Sequence, residues 1–175
     1  MQLRTSFLVL PLLLLSGCGG SEPSPKAAPG GGQPLPPEGA NGPSAAAPVE
    51  FVLEGNDQMQ YDKRELKVKA GQRVKVTLKN VGKIPKVAMG HNFVLLRKGV
   101  TLADFSPKVL PPEGKIENDF LPEAARGDVL VHTKILGPGE SDSVEFTAPG
   151  LPGELVYLCT FVGHAALMNG KIVVQ

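Results

Sequence analysis

The chain has 175 residues, 42% hydrophobic and 20% charged, with a formal net charge of +1 at neutral pH. That length suits one ordinary domain with appendages, and the apolar content is enough for a core. Lysine and arginine are scattered rather than clustered, so the sequence has neither the electrostatic footprint of nucleic-acid binding nor a polybasic membrane patch.

Residues 1–17 read as a leader: Arg4, an apolar run from Phe7 to Leu15, then Ser16, Gly17 and Cys18. The apolar run falls far short of the ~20 residues that a helix needs to cross a bilayer, so a secretory signal is expected rather than a membrane span. Leu15-Ser16-Gly17-Cys18 resembles the bacterial lipobox, which implies cleavage before Cys18 and lipidation of that cysteine. Residues 18–48 follow as a stretch of Pro, Gly, Ala and Ser. It holds too little apolar area to offset its ordering entropy and is expected to be a disordered tether. A cell-envelope location, anchored by lipid and facing the periplasm or the cell exterior, follows from these two segments.

From residue 49 to 175 the dominant signal is alternation with period two. Segments 66–70 (LKVKA) and 73–79 (RVKVTLK) trade apolar and polar residues strictly, as strands with one wet face do. Gly71-Gln72 between them reads as a two-residue hairpin turn. Further strands are expected at 50–54, 92–97, 129–132, 143–148, 154–160 and 171–174. Short strands separated by Gly, Pro and Asn indicate an all-β fold, an antiparallel sandwich of Greek-key type with about eight strands. Residues 99–127 fit least well and are expected to form a flap with a short helical turn near 102–105 or 123–125.

Near the C-terminus, LVYLCTFVGHAALMNG places Cys159, His164 and Met168 within ten residues. A thiolate, an imidazole and a thioether at fixed offsets after an apolar strand point to a transition-metal site, and this donor mixture favours copper. A fourth donor is expected from another strand, where His91 and His132 are the remaining histidines. Cys18 and Cys159 are the only cysteines; with Cys18 lipidated, Cys159 is a lone thiol in an oxidising compartment, protected by metal ligation.

Four segments, EGNDQMQYD, IPKVAMGHNFVL, VHTKILGPGESDSVEF and CTFVGHAALMNGKI, follow the order and spacing of the azurins, and residues 49–175 resemble that group of blue-copper cupredoxins. The resemblance implies a cupredoxin-like sandwich binding one copper ion. It makes His91, Cys159 and His164 the equatorial ligands and Met168 the weak axial ligand, with the Gly90 carbonyl on the opposite side. The backbone N–H groups of Asn92 and Phe161 then face the ligand sulfur, and His132 is a surface residue. Electrons would pass through the His164 ring edge, exposed within a docking patch of Met59, Ile84, Ala88, Met89, Phe161, Val162, Gly163, Ala166 and Leu167. Partners would be redox proteins: a cytochrome, a reductase, a dehydrogenase or a photosynthetic complex. A monomer is expected.

Departures from the family pattern carry their own expectations. The segments around Phe51 and Gly71 lack the cysteines of the family disulfide, and Phe93 stands where azurins carry a buried tryptophan. Asn80 replaces a histidine that titrates near the copper in some azurins, so the reduction potential should vary little between pH 5 and 8. Val162 replaces a proline usual in the ligand loop. Four protein donors leave no open position for substrate, so no enzymatic activity is expected. The competing readings are a copper-holding or delivery protein without a redox role, and a thiol enzyme built on Cys159 and His164, for which no orienting carboxylate is evident.

Overall fold

Where apolar and polar residues alternate, the computed structural model, which describes residues 47–175, forms strands. The leader, Cys18 and the tether through residue 46 lie outside the described residues. Among the described residues nine strands form two sheets: β1 (Val49–Asn56), β2 (Gln60–Tyr61), β3 (Glu65–Val68), β4 (Arg73–Asn80), β5 (Val94–Leu96), β6 (Val129–His132), β7 (Ser141–Thr147), β8 (Gly153–Leu158) and β9 (Asn169–Val174). One sheet runs β2-β1-β4-β7, the other β3-β9-β8-β5-β6, and together they make a Greek-key β-sandwich. β4 shows the logic of the alternation: Val74, Val76 and Leu78 are fully buried, while Arg73 and Lys79 are exposed.

Two sequence expectations need correction. Gly71-Gln72 does not close a hairpin, because β3 pairs with β9 in one sheet and β4 with β1 and β7 in the other. The turn carries the chain across the sandwich: Gly71 takes φ +70°, and the amides of Ala70 and Gly71 donate to the carbonyls of Gln175 and Pro149. Nor are the sheets purely antiparallel, since β1 runs parallel to β4 and β3 parallel to β9. Both follow from the crossing. With β3 spent on the far sheet, β1 meets β4 running in its own direction, and the parallel ladder from Val49↔Val74 to Gly55↔Asn80 holds the N-terminal strand along its length without a disulfide.

The sandwich core holds Leu53, Leu66, Val76, Leu78, Leu95, Leu155 and Ile172, with Phe93 and Tyr61 packed on the Tyr157 ring at centroid distances of 5.3 and 5.5 Å. The flap contains the helical turns α2 (Leu102–Phe105) and α3 (Glu123–Arg126), so both suggested turns are present, joined by two 3-10 turns at Ser106–Val109 and Ile116–Asn118. It builds a second core on the outer face of β5: Phe105, Val109, Leu121 and Ala125 cover Val94, Leu96, Val129 and Leu158. β5 is therefore buried on both faces, which its run Val94-Leu95-Leu96 reflects. A third helical turn, α1 (Lys86–Met89), was not legible in the sequence.

Candidate metal centre

His91 sits just before β5 and is pinned by an isolated bridge: its N–H donates to the Leu136 carbonyl at 3.0 Å and its carbonyl accepts the Leu136 N–H at 2.7 Å. Cys159 directly follows β8, which ends before the expected residue 160 because the chain there turns into the ligand loop. That loop satisfies its own backbone. The His164 carbonyl accepts the N–H of Leu167 at 2.9 Å and of Met168 at 2.7 Å, and the Cys159 N–H closes the circuit on the Met168 carbonyl at 2.9 Å. Gly163, at φ +81°, permits the reversal.

This packing brings the side chains of His91, Cys159 and His164 together, with their donor atoms within 4.8 Å of one another and all three residues buried. Cys159 Sγ lies 3.5 Å from His164 Nδ1 and 4.0 Å from the Gly90 carbonyl oxygen, and the two imidazole rings are 5.2 Å apart. Met168 is fully buried in the same core. Burial raises the Cys159 thiol to about 12, opposed by the backbone N–H groups of Asn92 and Phe161, which favour the charged sulfur. Burial lowers His164 to about 4, with the neighbouring His91 acting in the same sense. His91 is lowered too, chiefly by burial; the Asn56 carbonyl opposes this from outside good hydrogen-bond geometry.

Both ring nitrogens of His91 are buried without a hydrogen-bond partner. Orphaned polar atoms of this kind are costly unless something else satisfies them, and a metal ion beside a thiol and a second imidazole does so. Two imidazoles and one thiolate make the trigonal donor set of a copper site that serves both oxidation states.

Gly55, Tyr61, Arg64 and Thr160 shape the centre and were not singled out from sequence. Gly55, in β1, lies against it: a Cβ there would come within 2.8 Å of Met168 Cε and 3.2 Å of His91 Cδ2. A lone glycine inside an alternating strand was the available signal. At Gly90 a Cβ would meet Ile135 Cγ2 at 2.6 Å and the Lys86 carbonyl at 2.8 Å. The Asn92 side chain links the two ligand segments, accepting the Thr160 N–H at 2.8 Å and donating to Thr160 Oγ1 at 2.8 Å. Tyr61 donates its hydroxyl to the Asn92 carbonyl, and Arg64 holds the Leu167 carbonyl at 2.9 Å.

Of the expected docking patch, Ile84, Ala88, Val162, Gly163, Ala166 and Leu167 are exposed, Met59 and Met89 half-buried, and Phe161 buried. Val87, in the unforeseen α1, is 76% exposed and adds to the apolar character of this end. His164, expected to open onto the surface, is instead buried, at 2% exposure. His132 stands apart on β6, half-buried, accepting from Arg126 at 3.4 Å.

A buried Cys-His-His cluster in a Greek-key sandwich, with a buried methionine beside it, fits the single copper site of a type 1 copper protein. Residues 47–175 match the family model of copper binding proteins of the plastocyanin/azurin type, and the chain belongs to that family. It is 40% identical over 136 residues to azurin of Achromobacter denitrificans, covering 74% of this chain and 87% of that protein. It is 39% identical over 124 residues to outer membrane protein H.8 of Neisseria meningitidis serogroup B, covering 69% of this chain and 64% of that protein. Among solved structures, auracyanin A, a blue copper protein of the photosynthetic bacterium Chloroflexus aurantiacus, superposes with a TM-score of 0.64 at 30% identity, over 74% of this chain and 100% of that one. An azurin of Methylomonas sp. strain J gives 0.63 at 28% identity, over 74% and 99%. As a member of this family the protein is a copper-binding electron carrier.

Proposed function

We propose that the chain is a membrane-anchored carrier of single electrons, with a leader at 1–17, a lipidated Cys18 and tether at 18–48, and a copper domain at 49–175. His91, Cys159 and His164 would hold the copper, with Met168 and the Gly90 carbonyl beside them as weaker donors. The observation that carries this reading is the buried convergence of one thiol and two imidazoles around His91 nitrogens that have no other partner.

Copper, when bound, supplies a one-electron couple. The chain's own part is to hold the donors still: the bridge at Leu136 fixes His91, the loop bonds fix His164 and Met168, and Asn92 ties the two segments together. Rigid donors that suit both oxidation states keep the reorganisation on electron transfer small. Four protein donors in a buried site leave no room for a substrate, in keeping with a carrier rather than an enzyme. The exposed apolar residues around Val162 and Leu167 form the surface for brief docking of a redox protein.

Similarity to an outer membrane protein and the Leu15-Ser16-Gly17-Cys18 sequence support the anchor. The copper-loaded protein is expected to show an intense thiolate-to-copper absorption, a type 1 electron paramagnetic resonance spectrum and reversible voltammetry. A colourless complex that hands its metal to an acceptor would favour copper delivery instead. Mass spectrometry of the membrane-extracted protein tests the anchor, and an unmodified Cys18 would end it.

A further inference from the structure

We propose that Asp119, in the flap, is a positioning residue for the copper centre: through its main-chain carbonyl and its carboxylate it clamps the segments that carry His91 and Cys159. The proposal rests on the ligand reading above. Asp119 and Phe120 both have left-handed backbones, φ +56° and +52°, next to each other and without glycine. Aspartate tolerates this region but phenylalanine rarely does, so the pair persists only because the surroundings over-determine it.

What the turn achieves is visible in its contacts. The Asp119 carbonyl accepts Asn92 Nδ2 at 3.0 Å and the Thr160 hydroxyl at 3.3 Å, while Asn92 Nδ2 also donates to Thr160 Oγ1 at 2.8 Å. One flap carbonyl thus closes a triangle with the neighbour of His91 and the neighbour of Cys159. The carboxylate of the same residue accepts the Ile135 N–H at 2.8 Å. Ile135 presses on Gly90 and precedes Leu136, the residue bridged to His91. Phe120 completes the contact by stacking on Phe161 at 4.7 Å, and Phe161 stacks on His164 at 4.7 Å. The Phe161 backbone N–H is one of the two that favour the charged sulfur of Cys159. Loosening the turn frees the Asn92–Thr160 link and weakens donation to the sulfur, which favours the oxidised metal.

The test compares Asp119→Ala, Asp119→Asn and Asp119→Gly in the full chain. Asparagine keeps an acceptor for Ile135 and tolerates the left-handed turn, glycine keeps only the turn, and alanine keeps neither. In metal-free protein, amide hydrogen exchange at Thr160 is expected to rise about tenfold in the alanine variant, with a smaller change at Val76 in β4, and to stay close to wild type in the asparagine variant. In copper-loaded protein, the potential of the alanine variant is expected to lie below that of the asparagine variant, which has lost the same charge. Wild-type protection of Thr160 in the alanine variant would overturn the proposal, as would equal loss in the asparagine variant or equal acceleration at Thr160 and Val76. If the alanine variant does not fold, Thr160 exchange faster in glycine than in asparagine supports the clamp, and equal rates overturn it. Failure of the wild type to take up copper would sink the ligand reading, while the exchange arm would still decide the clamp.

Discussion

At the residue scale, protonation decides what copper uptake must displace. Cys159 holds its proton to about 12, whereas both histidines are neutral at pH 7, His164 having been pushed down to about 4. Copper binding near pH 7 is therefore expected to release close to one proton, the thiol's, and apparent affinity to rise about tenfold per pH unit between 7 and 8.5. A pH-indicator titration checks this; release of two or three protons would mean the imidazoles were charged. The same shifts set the stability of the metal-free fold. Unfolded histidines titrate near 6.5, so as pH falls from there toward 4 the unfolded chain takes up protons that the fold refuses, and stability is lost in that window. Urea unfolding of metal-free protein at pH 7.5 and 5 is expected to show the lower midpoint at pH 5. Asn80 adds no titration of its own: it is buried, donates to the Leu136 carbonyl at 3.0 Å and accepts the Gly82 N–H at 2.9 Å. The reduction potential is accordingly expected to be nearly flat from pH 5 to 8, and a steep slope in voltammetry would contradict this. At Gly55, substitution by alanine drives a methyl into Met168 and His91; it is expected to cost about 1–3 kcal/mol and to alter the absorption spectrum of the copper form.

At the element scale, the flap is the part whose importance exceeds what its sequence suggests. Pro-rich and without periodicity, residues 99–127 nonetheless bury Phe105 and Leu121 completely against β5 and β8. Phe105→Ala is expected to lower stability by about 3–5 kcal/mol in chemical denaturation. Because this second core lies on the outer face of the sheet, the folded fraction should keep the wild-type copper spectrum. Strand alternation, by contrast, was legible in advance: β4 and β7 occupy nearly the segments expected, since solvent on one face and core on the other impose period two. Pairing was not legible. Period two states which face a residue occupies and nothing about its neighbour, so the turn at Gly71-Gln72 read as a hairpin although it changes sheets.

At the scale of the whole molecule, the site lies where the sandwich converges, with His91 from the start of β5, the loop between β8 and β9, and Gly55 from β1 meeting there. Metal binding therefore ties the segment before β5 to the loop between β8 and β9. Copper loading is expected to raise the thermal midpoint substantially, and removal by a chelator to reverse this, because a ligand that binds only the folded state stabilises it by mass action. Cys159→Ser should lose both the absorption band and most of that stabilisation, as measured by calorimetry with and without copper.

The sequence by itself determined the donors, the strand faces and the family, because thiol, imidazole and thioether at fixed offsets are chemically specific and alternation is imposed locally. It also carried the expectation of a leader and a lipidated Cys18. Only the tertiary structure decided which strands pair, that the flap forms a second core, that Val87 joins the apolar end, and that Asp119 reaches both ligand segments. These depend on main-chain carbonyls, left-handed turns and close approach of backbone, and none of them leaves a residue type or a period that the sequence alone would show.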